Sequence, residues 1–132
     1  MIITNTNSYA ESAGAFYLHD GKPKLVPNPL TGQLQPWTLT RAYGCNNIIA
    51  SENMLTFRSG AAGYYDLLTG SGTGNFGGFK SGCTSNLVVA NGVLNAPDYT
   101  RTCSCAYQNQ TSLALVHMPD VDVWSVNNAA SV

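Results

Sequence analysis

A repeated glycine-cysteine unit constrains the fold of this chain more than any other feature. Residues 44–55 return, with a slip of one position, as residues 82–94. Each copy opens with Gly-Cys, passes through short polar residues and enters a run of aliphatic, largely β-branched residues, and the two starts lie about 38 residues apart. A period of this size is typical of repeat architectures. We therefore expect consecutive copies of one β unit.

The composition predicts an all-β protein. The chain has 132 residues, enough for one domain with one hydrophobic core. Charged residues make up 10% of it, against about a quarter in a typical domain. Apolar residues occur in short runs between Gly, Asn, Ser and Thr, and the pair Asn91-Gly92 is the strongest hairpin signal. Antiparallel β-meander sheets are the expected fold.

Turn signals divide the chain into units. We predict a flexible lead-in at 1–12, one β domain of three blade-like units at 13–40, 41–80 and 81–126, and a frayed tail at 127–132. Within these units, 59–63 is expected to be a bend of small residues and 121–124 a short final strand. The segment 70–78 contains five glycines, so it is predicted to be a loop.

The charge balance limits the partners. The formal net charge is −1 and the six Lys and Arg residues are scattered, which argues against a nucleic-acid interface. Few charges also leave strand edges poorly protected against pairing with other strands. Other copies of the chain, or a larger parent protein, are therefore the expected partners, and we predict an oligomer.

The first residues of the sequence and its cysteines indicate different cellular compartments. No apolar run reaches the roughly 18 residues that span a bilayer, and the first residues resemble no signal peptide. Four cysteines in a small β chain, however, indicate disulfides and an oxidising compartment. We therefore expect a piece of a longer exported protein, periplasmic or secreted, whose signal lies upstream.

The cysteines favour two disulfides over a metal site. Cys103 and Cys105 are too close in sequence to pair without strain, so we expect them to reach Cys45 and Cys83, in an order that the sequence leaves open. A zinc site with four cysteine ligands is the alternative, although zinc sites favour C-x2-C pairs. Neither histidine belongs to a metal-binding spacing, and we predict no metal site.

Other reactive residue types form no catalytic pattern. No Gly-x-Ser-x-Gly motif is present, so we predict no catalytic residue. Asp66 is expected to tie a turn through backbone N–H groups, and Asp98 to cap a turn or to serve as a ligand or base. Arg58 lies on an apolar strand, where its guanidinium needs a carboxylate or carbonyl partner, or a ligand.

Two segments resemble the blade signature of quinoprotein-type β-propellers, roughly Tyr-Ala-Leu-Asp-x-x-Thr-Gly-Lys. They are Ala15-Phe16-Tyr17-Leu18-His19-Asp20-Gly21-Lys22-Pro23 and Tyr64-Tyr65-Asp66-Leu67-Leu68-Thr69-Gly70. The block 43–115 is similar to the C-terminal blades of large PQQ-binding-like propeller proteins of planctomycete-type bacteria. Further motifs carry this resemblance: Phe57-Arg58-Ser59-Gly60, Gly74-Asn75-Phe76-Gly77-Gly78, Asn95-Ala96-Pro97-Asp98-Tyr99 and Cys103-Ser104-Cys105. It covers about 40–124 and implies an exported propeller protein.

Three functions follow from these observations. The leading expectation is a non-catalytic structural or binding domain that completes or assembles a propeller, because about three blades cannot close a ring; no cofactor is expected for the isolated chain. The resemblance implies PQQ as the alternative cofactor, in a PQQ-dependent dehydrogenase whose Arg58, Asn86 or Asp98 would contact it. The third expectation is a carbohydrate-binding or small-molecule-binding module. Its candidate ligand residues are aromatic: Trp37, Tyr64, Tyr65, Tyr99 and Tyr107.

Overall fold

A computed structural model describes residues 1–4, 12–83, 85–98 and 111–121. The described residues form twelve strands, and the predicted all-β fold is confirmed. In chain order the strands are β1 (Ile2–Ile3), β2 (Ser12–Phe16), β3 (Leu25–Pro27), β4 (Leu34–Pro36), β5 (Thr38–Thr40), β6 (Ile49–Ala50), β7 (Met54–Ser59), β8 (Ala61–Asp66), β9 (Thr73–Gly77), β10 (Val88–Ala90), β11 (Val93–Ala96) and β12 (Leu113–Val116).

The strands form four antiparallel sheets. Their orders are β1-β2-β5, β3-β4, β6-β7-β8-β9 and β10-β11-β12. The third sheet is a four-stranded meander of consecutive strands, which is the architecture of a single propeller blade. It lies within 41–80, and the sheet β10-β11-β12 lies within 81–126. The predicted antiparallel all-β fold is thus confirmed, with β6-β7-β8-β9 as its blade-like sheet.

The second repeat contains the predicted hairpin. Ala90 pairs with Val93, which leaves Asn91 and Gly92 as a two-residue connection. Both have positive φ values, 50° and 75°. Positive φ at both central residues defines the type I′ turn, whose twist matches that of the flanking strands. The local Asn-Gly signal therefore decided this part of the fold correctly.

The glycine-rich segment differs from the prediction, since β9 occupies part of the predicted loop at 70–78. β9 is an edge strand paired only with β8 among the described strands. A Cβ atom on Gly74 would lie 2.6 Å from the ring of Tyr64, whose ring centroid is 4.6 Å from that of Phe76. Glycine therefore makes room for an aromatic ring across the strand pair, an effect that local propensity does not include.

Two smaller predictions also need correction. The bend predicted at 59–63 is reduced to Gly60, with a φ of 72°, because Ser59 and Ala61 already pair across the β7–β8 hairpin. Val121, predicted to begin a strand, ends a single helical turn over 119–121, and 122–124 lie outside the described residues. In the predicted lead-in, Ile2 and Ile3 pair with β2.

Strand β7 separates two hydrophobic clusters. Leu55 and Phe57 are fully buried in the first cluster, whose other buried members are Ala13, Ala15, Trp37, Leu39 and Tyr65. The alternate positions of the strand, Thr56 and Arg58, point to the opposite face. There the Thr56 hydroxyl donates a 2.6 Å hydrogen bond to the carbonyl of Leu87, which belongs to the second cluster with Ala62, Leu94 and Ala96. Polar residues on β7 are thus buried between two units.

Candidate binding site

A pocket of about 540 Å³ lies between the β3–β4 hairpin and the turn that joins β8 to β9. We call it the Trp37 pocket. Its lining combines aromatic, aliphatic, amide and hydroxyl groups from successive parts of the chain. The lining residues are Lys24, Val26, Pro27, Asn28, Pro29, Gln35, Trp37, Thr38, Tyr65, Leu67, Leu68, Thr69, Gly70 and Gly72.

Trp37 and Tyr65 form the rigid wall of the pocket. The indole Nε1–H donates to the Tyr65 hydroxyl at 3.0 Å. The two rings meet edge to face, with centroids 5.3 Å apart and planes at 76°. Their exposed fractions are only 5% and 6%, so both rings are held in the first hydrophobic cluster. The structure therefore brings together two of the predicted ligand aromatics.

One rim of the pocket is a turn organised by Asn28. Its Oδ1 accepts hydrogen bonds from the backbone N–H groups of Leu30 at 2.9 Å and Thr31 at 3.1 Å. The Gly32 N–H donates to the Asn28 carbonyl at 2.8 Å, and Gly32 has a φ of 72°. The Asn28 amide also donates to Gln35 Oε1 at 2.9 Å, which ties the turn to β4. This rim is therefore an Asx turn with its polar groups satisfied.

The opposite rim is a turn organised by Asp66 in the same way. Its Oδ1 accepts hydrogen bonds from the backbone N–H groups of Leu68 at 2.8 Å and Thr69 at 3.4 Å, and Oδ2 accepts one from the Thr69 hydroxyl at 2.9 Å. The bonds from the Leu68 N–H and the Thr69 side chain lower the pKa of Asp66 below its ordinary value. Asp66 thus ties a turn, as predicted.

The two rims are copies of one sequence motif. Asn28-Pro29-Leu30-Thr31-Gly32 and Asp66-Leu67-Leu68-Thr69-Gly70 share the pattern Asx-x-Leu-Thr-Gly, and each closes with a hydrogen bond from glycine to the Asx carbonyl. They lie at the same spacing as the two Gly-Cys pairs. The sequence analysis did not predict a relation between Asn28 and Asp66, although their spacing, equal to that of the Gly-Cys pairs, indicates one. The pocket therefore lies between equivalent turns of successive units.

The lining favours binding over acid–base chemistry. Among the described residues of the lining, Lys24 is the one charged residue, and none is a carboxylate, histidine or cysteine. Gln35, Thr38 and Thr69 add amide and hydroxyl groups, which donate and accept hydrogen bonds without changing charge near neutral pH. An apolar wall with a few oriented polar groups is the usual composition of a small-molecule site.

The other predicted ligand aromatics are not part of this pocket. Tyr64 alternates with Tyr65 along β8 and packs on Phe76, away from Trp37. Tyr99 and Tyr107 lie outside the described residues.

Arg58, the first predicted cofactor residue, is buried elsewhere. Its Nε donates to the Gly60 carbonyl at 2.8 Å, and its guanidinium carbon lies 5.1 Å from the centroid of the Tyr43 ring. The expected carbonyl partner is thus present.

Asn86 and Asp98 also lie outside the Trp37 pocket. Asn86 Oδ1 accepts a hydrogen bond from the Asn47 N–H at 3.0 Å, which joins the two repeats. The backbone N–H of Asp98 donates to the Ser112 hydroxyl at 3.0 Å. The predicted cofactor residues are therefore absent from the lining of the Trp37 pocket.

The disulfide prediction stays open. Cys45 has a free, exposed thiol whose sulfur lies 3.2 Å from the Tyr43 hydroxyl. Cys83 is half-buried, and Cys103 and Cys105 lie outside the described residues. The described residues contain no group of three or more His, Cys, Asp or Glu side chains placed to hold a metal ion.

Comparisons with known proteins identify no relative. No family model, no curated protein and no solved structure matches this chain. In the described part of the chain, no helix is long and apolar enough to span a bilayer.

Proposed function

We propose that this chain is a non-catalytic binding domain built from blade-like β units, with its ligand in the Trp37 pocket. One observation carries the proposal: the pocket lies between two copies of the same Asx turn, with a rigid pair of aromatic rings as its wall. Both turns hold their shape through their own hydrogen bonds. A site of this kind is formed before the ligand arrives, which reduces the entropy cost of binding.

The chemistry of the lining supports a neutral, hydroxyl-rich ligand such as a carbohydrate. The accessible parts of the two rings and the aliphatic side chains can contact the apolar C–H groups of a sugar, while amide and hydroxyl groups bind its hydroxyls. Its described residues include one cation, Lys24, and no carboxylate, so they offer little to a metal ion or a cationic ligand.

Affinity electrophoresis against a panel of soluble polysaccharides tests this proposal. Gln35→Ala removes a lining amide, whereas Gln33→Ala removes the same exposed side chain two residues away, outside the lining. We expect retardation by at least one polysaccharide, weakened about five- to tenfold by Gln35→Ala because one to two hydrogen bonds are lost. Gln33→Ala should bind like the wild type. Equal binding by both variants would exclude the Trp37 pocket as the site.

A second role in assembly is supported by the open sheets. The four-stranded meander β6–β9 resembles one propeller blade, while the sheet β10–β12 contains three strands among the described residues. We propose that exposed strand edges associate with other copies of the chain or with the rest of a propeller. Light scattering with and without reductant tests this role. A dimer or larger species supports it, and dissociation by reductant would place cysteines at the joint. A monomer in both conditions would contradict it.

PQQ-dependent dehydrogenation has less support. Its proposed contacts, Arg58, Asn86 and Asp98, do not line the Trp37 pocket. Cofactor absorbance after incubation with PQQ, together with dye-coupled alcohol oxidation, would favour this alternative over the binding domain.

A further inference from the structure

Three cationic side chains are buried close to the repeated Gly-Cys units. The exposed fractions are 2% for Arg41, 3% for Arg58 and 1% for Lys80. Such residues are almost never fully buried unless they are paired with an opposite charge. We call these three residues the cationic cluster.

Asn46 connects the cluster. Its carbonyl accepts a 2.8 Å hydrogen bond from Arg41 Nη2, and its Oδ1 accepts a 2.8 Å bond from the backbone N–H of Arg58. The Asn46 amide donates to the hydroxyl of Ser81 at 2.8 Å, and Ser81 follows Lys80 in the chain. One buried side chain therefore fixes the two arginine segments and the segment that carries the lysine.

Several nitrogens of the cluster have no hydrogen-bond partner. They are Arg41 Nε, Arg41 Nη1, Arg58 Nη1 and Lys80 Nζ. None of the three residues forms an ion pair with a carboxylate among the described residues. Asp20 lies beside Lys22 and His19, and Asp66 is bound within its own turn. The described residues thus leave the positive charge of the cluster and four of its nitrogens unsatisfied.

The burial has a direct electrostatic effect on Arg41. Burial lowers the pKa of Arg41 from its ordinary value, and the nearby Cys45 sulfur acts in the opposite direction. Arginine nevertheless keeps its proton in proteins, so the positive charge remains and requires compensation.

We propose that the cationic cluster binds a small tetrahedral oxyanion, of the phosphate or sulfate class. Guanidinium groups bind such oxygens with paired N–H donors, and lysine is a common phosphate ligand. The proposal places the four unpaired nitrogens around one ion, and the oxygens of a tetrahedral oxyanion have enough acceptor positions for them. The proposal does not depend on the Trp37 pocket, which lies on the other side of β7.

The chain on either side of the cluster's first arginine reaches the surface. Ala42 and Cys45 are exposed and Tyr43 is half-buried, whereas Arg41 itself is buried. The Tyr43 ring packs against the Arg58 guanidinium and restricts its orientation. Gly44 lies against the Arg58 backbone, where a Cβ atom would overlap the carbonyl oxygen. The first glycine of the repeat therefore has a physical reason to be glycine.

Thermal unfolding with inorganic phosphate or sulfate, at ionic strength matched with chloride, tests the site. Phosphate at about a hundred times its Kd should raise Tm by roughly 10 °C above the chloride value. Lys80→Met should lose most of this rise, while Lys22→Met, which removes an exposed lysine, should keep it. The measured quantity is the difference between phosphate and chloride within each variant, so any change in the variant's own stability cancels.

Calorimetric titration of the wild type with phosphate and with acetate provides a readout without a variant. Phosphate should bind at one site and at least tenfold more tightly than acetate. Absence of a phosphate effect beyond chloride would overturn the proposal. An equal effect in Lys80→Met would mean an adventitious ion only, and equal binding of acetate would overturn the tetrahedral class.

Discussion

The Trp37 pocket and the cationic cluster lie on opposite faces of β7 and satisfy their polar groups differently. In the pocket, the Trp37 indole bonds to Tyr65, and Asn28 bonds to its own turn and to Gln35. In the cluster, Arg41 and Lys80 retain nitrogens without partners. The polar groups of the pocket wall and rim are therefore satisfied without a ligand. The buried positive charge of the cluster, in contrast, requires a negative charge nearby.

The largest expected effect on stability comes from a substitution next to the cationic cluster. Gly44→Ala places a Cβ atom against the backbone of Arg58, where the carbonyl cannot move without disturbing β7. We expect the free energy of unfolding to fall by about 3 kcal/mol, as in overpacked cores. Urea denaturation measures it.

Gly78→Ala is the matched control, because nothing lies within 4 Å of a Cβ atom at that position. Its free energy of unfolding should stay within about 0.5 kcal/mol of the wild type. Equal stability of the two alanine variants would contradict the close approach of Gly44 to the Arg58 backbone.

A smaller effect on stability is expected from the hydrogen bond in the wall of the Trp37 pocket. Trp37→Phe and Tyr65→Phe each remove one partner of the 3.0 Å hydrogen bond between indole and hydroxyl. Each should cost about 1–2 kcal/mol, and the double variant should reveal a coupling of about 1 kcal/mol. Urea denaturation of the four proteins of this cycle provides the coupling.

The neighbouring Tyr64 supplies the control cycle. Tyr64→Phe combined with Trp37→Phe should be additive, since Tyr64 packs on Phe76 away from the indole. Additivity in the Tyr65 cycle as well would show that the hydrogen bond does not stabilise the pocket wall.

The smallest effect concerns the turn at the pocket rim. The pKa of Asp66 is lower in the folded chain than its ordinary value, so the unfolded chain binds a proton at a higher pH. The stabilisation from Asp66 is therefore complete above the unfolded pKa of about 4 and is lost as the pH falls through the folded pKa. Asp66→Asn keeps an acceptor oxygen but should flatten the fall in Tm below about pH 4.

Asp120→Asn is the control, because Asp120 is exposed and lies outside the Asx turn. Its Tm should follow the wild-type acid curve. The same acid dependence in Asp66→Asn would remove Asp66 as a source of the pH effect.

The sequence predicted best where local chemistry decides the structure. Asn91-Gly92 specified a type I′ hairpin, and Asp66 specified an Asx turn, because both depend on backbone conformations and hydrogen bonds within a few residues. The loop predicted at 70–78 from its glycine content was wrong in part, because contacts with distant residues decide the structure there. There the pairing with β8 and the Tyr64 ring outweigh the low strand propensity of glycine.

The candidate site was predicted only in part. Trp37 and Tyr65 were identified by residue type, but their contact joins residues 28 positions apart and became visible only in the fold. Tyr64, chosen for the same reason, points away from the pocket because side chains alternate along a strand. Residue type indicates what a side chain can do, whereas strand register decides which pocket it reaches.

The sequence by itself determined that this chain is all-β, built from repeated units with Asx and Asn-Gly turns, because these features follow from short-range conformational preferences. Only the tertiary structure decided that Arg41, Arg58 and Lys80 are each buried, with no carboxylate partner among the described residues. Burial and charge pairing depend on which distant segments pack against each other, and Asn46 makes that connection across 35 residues to Ser81. A pattern within a few residues of sequence cannot predict a contact across that separation.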